Sequence, residues 1–561
     1  MPIRIDGETV IAETPRLTMK IERDRIVSLR ANGKEWLAES LPLLTFLYAN
    51  DKEETYCSRE TRAEQLTDQA VDLVWDGLAG QANIRVETHD EDIWVTPCAV
   101  TTRLGFKALR LNLGGLIADT ELIIPTFQGV RIGQDCPYLR KERLPWPYVW
   151  EAGIIFAENK EGICFYAWTE DTEDRYKALH LDRETKSVRL GLETENNAPF
   201  YDKKEAGGHT WKLSVSPNGW LAGAERYADW LERTWKLRDI REQRASWLES
   251  ITYALSWCHN DISLLDAIAS RIDPSKTLIH FPGWRTDGYD RNYPNYEVND
   301  DVRPFLRRAK ELGFHTMLHF NVFSISANHP LFRLFSDYQY RDAESMALMA
   351  WYTGTDNNSF STCPQHPMLE RYAEQDVLLS YTHTGLTRWR NEITKRVMRI
   401  LQEEDADCVF LDQTNGLPNI FNSMVEGRTT IRGIQLLLSD LLRLRPGLII
   451  GGEGLNEVTM RHQAVTQLHL FKSHRESVPG LEKYAYRVCD ILYRGHTKLI
   501  AYCNNDGHDE ASELRIRVHE KLGGIPSMTL NDRPATDLTE PNEAVRDLFE
   551  RANTWRPMPF V

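Results

Sequence analysis

Over residues 1–215 the apolar positions recur at every second residue, in short runs broken by turn residues. Arg16-Leu17-Thr18-Met19-Lys20-Ile21-Glu22 alternates, as does Ala82-Asn83-Ile84-Arg85-Val86-Glu87-Thr88, whereas Gly153-Ile154-Ile155-Phe156-Ala157 is apolar throughout. Ala31-Asn32-Gly33-Lys34 and Asn159-Lys160-Glu161-Gly162 punctuate the runs. A period of two with such breaks reads as strands, and many short strands in succession read as a large antiparallel sandwich. Residues 1–216 are therefore assigned to one β-sandwich domain.

The period changes near Pro217. In the segment 219–236, Leu221, Ala224, Ala228, Leu231 and Trp235 fall on one helical face. Residues 217–249 are read as a linking helix with a charged tail. From residue 250 to 561 the pattern becomes strand, helix, strand, helix. Eight strands are predicted, over 251–257, 277–281, 315–321, 408–412, 448–452, 465–471, 499–503 and 525–530, with amphipathic helical patterns between most of them. Eight such units predict a (β/α)8 barrel. No glycine-rich nucleotide fingerprint follows any strand, which disfavours a doubly wound sheet. The stretch of about 324–388 is too long for a connection and is predicted to be an insertion on one barrel face.

Composition narrows the function classes. The chain has 561 residues, 82 acidic against 67 basic side chains and a net charge of −15. A broad basic surface for nucleic acid is thereby excluded. The 16 Trp and 21 Tyr fit either sugar-stacking faces or a large aromatic core. No run approaches the ~18 apolar residues of a membrane span. Met1-Pro2-Ile3-Arg4-Ile5-Asp6-Gly7-Glu8 lacks a secretory pattern, and the nine Cys form no CxxC pair, so a cytoplasmic protein with free thiols is expected. Walker A, GxSxG and HExxH patterns are all absent.

In a barrel of this kind the chemistry sits where strands end. The fourth strand runs Val409-Phe410-Leu411 into Asp412, followed by Gln413-Thr414-Asn415. The fifth ends Ile450-Gly451-Gly452-Glu453-Gly454, with Glu457 close behind as an alternative to Glu453. Two carboxylates on neighbouring strand ends are what glycoside hydrolysis needs: one attacks or stabilises the anomeric carbon, the other protonates the leaving oxygen. The first strand ends at Trp257 and His259, the third at Asn321, and the seventh at Asn504-Asn505-Asp506, with Asp509 beyond. In the second, Trp284 offers a stacking face and Asp287 a partner for hydroxyls. These residue types suit a polyhydroxylated ligand.

The arrangement resembles the retaining α-glycoside hydrolases. The segment Trp284-Arg285-Thr286-Asp287-Gly288, then Ala309-Lys310-Glu311-Leu312-Gly313 and the strand to Asn321, is similar to α-glycosidase barrels. Asn504-Asn505-Asp506 is similar to the Asn-His-Asp of the α-amylase family, while Phe410 stands where that family has Arg. A sandwich ahead of the barrel resembles the endo-α-N-acetylgalactosaminidase group, and the sandwich itself resembles the galactose-mutarotase type. The resemblance implies Asp412 as nucleophile and Glu453 as acid/base. It also implies an α-linked galactose, N-acetylgalactosamine or glucose as the sugar cleaved. Trp257, His259, Trp284, Asp287, Asn321, Asn415, Asn505 and Asp506 are the expected substrate-binding residues. A carbohydrate is the expected partner, with no cofactor, resident metal, nucleic acid or membrane, and a dimer is compatible. Two other readings stand beside this one: a non-catalytic carbohydrate-binding protein, and a metal-dependent hydrolase built on His259, His319 and Asp412.

Overall fold

The computed structural model describes residues 2–50, 52–183, 186–352, 361–363, 378–406, 408–469, 480–502, 506–530 and 536–559. The chain packs as two units. One is Met1–Thr234 with Asn419–Phe421, the other Trp235–Pro418 with Asn422–Phe560.

The first unit is antiparallel β throughout, in sheets of five, ten and seven strands. The alternation in the sequence becomes alternation in burial: Leu17–Glu22 reads buried, half-buried, buried along its length. Trp36, Trp75, Trp150, Trp168 and Trp211 are fully buried here, so much of the aromatic content builds core. The predicted helix spans Trp220–Trp235 and buries Ala224, Tyr227, Ala228 and Leu231.

The second unit is a parallel barrel. Its strands are β1 (Tyr253–Ser256), β2 (Thr277–Phe281), β3 (His315–Asn321), β4 (Cys408–Asp412), β5 (Ile449–Glu453), β6 (Val465–Leu468), β7 (Lys498–Ala501) and β8 (Ser527–Thr529). Their order is 7-6-5-4-3-2-1-8, and Ile525 N–H donates to the Leu499 carbonyl at 3.0 Å across the remaining seam. Ala254, Leu278, Met317, Cys408, Phe410, Ile449, Val465 and Ile500 fill the core. Helices alternate with the strands for local reasons. Arg303–Leu312 opens with Pro304 in its first turn and stops at Gly313, whose φ of 93° reverses the chain. Thr430–Leu444 is capped by Thr429, whose hydroxyl accepts from Arg432 N, and it buries Ile431, Ile434, Leu438 and Leu441. After β3 the chain forms a small antiparallel sheet from Ser324–Ser326, Leu348–Tyr352, Ser361–Cys363 and Leu378–Tyr381 before the helix Thr387–Glu403.

Candidate active site

Asp412 and Glu453 close β4 and β5, one step beyond the paired residues Leu411 and Gly452. Phe410, two residues before Asp412, lies in the barrel core, so the alternation of the strand turns Asp412 to the same interior side. Asp412 is 5% exposed and Glu453 2%. Glu453 Oε2 accepts from Gln413 N–H at 3.0 Å, the residue that follows Asp412. Thr414 ties the two strand ends: its Oγ1 accepts from Glu453 N–H at 3.0 Å and donates to the Glu453 carbonyl at 3.2 Å. Burial, and then the charge of Glu453, push the Asp412 carboxyl well above the usual carboxylate range, against the pull of His469 and of hydrogen bonds from Gln413 and Asn321.

Asn321 joins this pair. It is the register partner of Asp412, and its Nδ2 donates to Asp412 Oδ2 at 3.3 Å. Its own Oδ1 is fixed by Ser324 N–H at 2.8 Å. Asn415 is buried, and its side chain packs on Gly454 at a place where a Cβ would meet Nδ2 at 2.8 Å. Trp257 leaves β1 with a φ of 56°. Its ring stands edge-on to Tyr289 and Tyr502, at 5.0 and 5.8 Å. His259 is half-buried two residues further on.

Other expected residues sit differently. Trp284 is fully buried, its Nε1–H donates to the His319 carbonyl at 2.8 Å and its ring packs on Phe320. It is a core residue, because its side chain leaves the strand end on the packed side and not toward the mouth. The aromatic of this loop that reaches solvent is Tyr289, 38% exposed and edge-on to His319. Asp287 braces its own loop, accepting from Asn292 Nδ2 at 3.3 Å and from Asn295 Nδ2. Asp506 is half-buried and its Oδ1 accepts from His508 N–H at 3.2 Å. Asp509 is the N-cap of helix Glu510–Lys521 and accepts from Ser512 N–H at 2.7 Å. Asn505 lies outside the described residues. Glu457 is buried. Among the described residues no group of three or more His, Cys, Asp or Glu is arranged to hold a metal ion, and His259, His319 and Asp412 do not assemble as one.

Two residues near the carboxylates were not anticipated. His469, directly after β6, places Nε2 2.6 Å from Glu453 Oε1 and stacks on Tyr502 at 4.2 Å. The predicted sixth strand ran past it to residue 471, so it read as strand interior. Asp290 is 7% exposed. Burial and the charge of Asp412 push its carboxyl up to about 8, against the pull of Arg285 and Tyr293. It lies in a loop with a φ of 52° and carries no periodicity that would reveal it.

The chain matches a family model described as a domain of unknown function (DUF6259) over residues 209–419. No curated protein matches it. Among solved structures it is similar to the ligand-free α-N-acetylgalactosaminidase NagBb from Bifidobacterium bifidum. The two are 13% identical with a TM-score of 0.68, over 96% of this chain and 93% of that one. A GH31 family sulfoquinovosidase from E. rectale is 10% identical with a TM-score of 0.57, over 99% of this chain and 82% of its own. The GH36 α-galactosidase AgaB from Geobacillus stearothermophilus is 10% identical with a TM-score of 0.51, over 99% and 86%. At such identities the likeness is one of fold: this chain has the β-sandwich and (β/α)8 barrel architecture of glycoside hydrolases.

Proposed function

We propose that the protein is a retaining α-glycoside hydrolase, with Asp412 as nucleophile and Glu453 as acid/base. The observation that carries this reading is the pair's register: two buried carboxylates at matching positions on adjacent parallel strands. Adjacent strands are about 4.8 Å apart. Carboxyl groups borne on neighbouring strand ends can therefore flank one glycosidic bond, as the pair of a glycoside hydrolase must. Two buried acids this close do not both ionise readily, so they share one proton, and the reaction starts from the form that has it on Glu453 and leaves Asp412 ionised.

In the first step an Asp412 oxygen bonds to the anomeric carbon. The bond to the leaving oxygen breaks, and that oxygen takes the proton from Glu453. In the second, Glu453 accepts a proton from water, whose oxygen displaces Asp412 from the same carbon. Asn321 Nδ2 holds Asp412 in place, and Gln413 N–H does so for Glu453. Tyr289 and Trp257 supply aromatic surface beside His319. A galactose-type sugar is supported by the fold neighbours NagBb, an α-N-acetylgalactosaminidase, and AgaB, an α-galactosidase.

The test is a panel of aryl α- and β-glycosides, including α-galactoside, α-glucoside and α-N-acetylgalactosaminide. Wild type is expected to release aryl alcohol from an α-glycoside, and Asp412→Asn to lose at least ~10³-fold in kcat. Glu453→Gln is expected to slow poor leaving groups more than activated ones, and proton NMR to show the α-anomer as first product. A folded wild-type protein inert across the panel, or an Asp412→Asn variant with normal turnover, overturns the assignment.

A further inference from the structure

Below the carboxylates, inside the barrel, lies a row of polar side chains that the hydrolytic steps do not use. Ser256, His280, His319 and Gln467 come from β1, β2, β3 and β6, and all are buried. His280 Nδ1 receives Trp257 N–H at 3.2 Å. Gln467 Nε2 lies 3.1 Å and Ser256 Oγ 3.3 Å from the same nitrogen. His280 Nε2 is 3.0 Å from His319 Nδ1. His319 Nε2 has no hydrogen-bond partner among the described residues, and Asp412 Oδ2 is 3.8 Å from it, beyond hydrogen-bond reach.

The tautomers follow from one contact. A backbone N–H can only donate, so His280 Nδ1 is an acceptor and carries no proton. A neutral His280 then has its proton on Nε2 and donates it to His319 Nδ1. That nitrogen is in turn an acceptor, and the proton of a neutral His319 lies on Nε2. Both rings are held neutral. Burial and the His319 charge keep His280 well below the usual histidine range, and burial followed by Arg285 holds His319 down to about 3. The row thus delivers one N–H, fully desolvated and unpaired, beside Asp412. A buried donor left so is costly unless a ligand meets it. Trp257 Nε1, a second buried donor without a partner among the described residues, belongs to a ring 6.0 Å from that of His319.

We propose that His319 is a substrate-contacting residue whose Nε2–H, held in that tautomer by His280, binds the oxygen of a sugar hydroxyl that bridges it and Asp412 from one side. A hydroxyl suits this position because it accepts and donates at once: it takes the His319 N–H and gives its own proton to Asp412 Oδ2. His280 is a positioning residue that acts through His319. The proposal rests on the glycoside hydrolase reading above.

The experiment has two arms. In the first, histidine ring ¹⁵N signals of the full-length wild-type protein are assigned with His319→Gln. A pyrrole-like Nε2 and pyridine-like Nδ1 are expected for His319, and a proton on Nδ1 overturns the proposal whatever the activity. The second arm uses the aryl α-glycoside that wild type cleaves, with its 2-, 3-, 4- and 6-deoxy analogues. His319→Ala is expected to lose about tenfold or more in kcat/KM on the parent. It should lose little on the one analogue lacking the bound hydroxyl, and His319→Gln, which keeps an N–H, should recover part of the loss. An equal loss on parent and every analogue marks a merely structural residue and overturns the proposal. If Asp412→Asn is inactive while His319→Ala is unimpaired on the parent, this proposal alone falls. If wild type cleaves no glycoside, the hydrolase reading falls and takes the proposal with it.

Discussion

Asp290 is an acid in surroundings that disfavour its charge. Its carboxyl titrates near 8 because burial and Asp412 outweigh Arg285 and Tyr293. In the unfolded chain it titrates at about 3.9. Between those values the folded state holds a proton that the unfolded state has lost, so stability falls as pH rises across that window. The slope from one such group is roughly 1.4 kcal/mol per pH unit. Asp290→Asn keeps the shape and removes the titration. Urea unfolding at pH 5, 6.5 and 8 is expected to show wild type losing stability toward pH 8 and the variant losing less. Parallel pH profiles for the two proteins would refute a buried, protonated Asp290. Residues of this kind are the hardest to read from sequence. Asp287 and Asp290 stand three apart in one loop, and only the folded loop decides that the first accepts from Asn292 and Asn295 while the second faces Asp412. Trp284 and Tyr289 pose the same problem: an aromatic at a strand end serves core or ligand equally well until its direction is known.

At the scale of elements, the strands were legible because a barrel strand is an apolar run with few alternatives. The segments 277–281, 315–321 and 408–412 are strands with those bounds. Strand ends were less legible, since an apolar residue just past the last ladder bond looks like one within it. That is how His469 was hidden behind Val465–Leu468. The glycine before Glu453 has a packing reason. A Cβ on Gly452 would come 1.7 Å from Gln463 Nε2 and 2.7 Å from Thr414 Oγ1, so the space is filled by side chains that clamp the two strand ends. Gln463 Nε2 donates to the same Thr414 hydroxyl that brackets the Glu453 backbone. Thr414→Val removes the hydroxyl at nearly constant shape and releases Glu453 from β4. Misplacing a catalytic group by about 1 Å costs on the order of 10²-fold. Thr414→Val is therefore expected to lower kcat by ~10–100-fold with a small change in KM, measured on the glycoside the wild type cleaves. An unchanged kcat would mean that the Gln413 contact alone positions the acid.

Across the whole molecule, buried carboxyls are shifted in both directions. In the β-sandwich unit, burial would raise Asp171, but Lys177 at 2.9 Å, with His209, outweighs it and holds the acid far below the usual range. Glu193 is likewise lowered, by Arg143 and Arg110 against full burial. In the barrel unit, burial prevails: Asp290 is raised to about 8 and Asp490 to about 6, the latter despite Arg487. The signs follow. Depressed acids give stability that is present above about pH 4, where unfolded carboxyls are ionised, and is lost as pH falls further. Raised acids give stability that is fully present below about pH 4 and is lost as pH climbs toward their folded values. Asp171→Asn isolates the first limb. It leaves Lys177 buried without its anion, which costs roughly 3–5 kcal/mol. The deficit relative to wild type, measured by urea titration with peptide-resolved hydrogen exchange on sandwich strands, is expected to be constant from pH 8 to 5 and to shrink below about pH 4, as the wild-type unfolded state gains protons. Barrel peptides of the wild type are expected to move the other way, their midpoints rising from pH 8 to 5. A deficit that grows on acidification, or barrel midpoints that fall, would mean that the charges of these buried groups are not set by the neighbours named here.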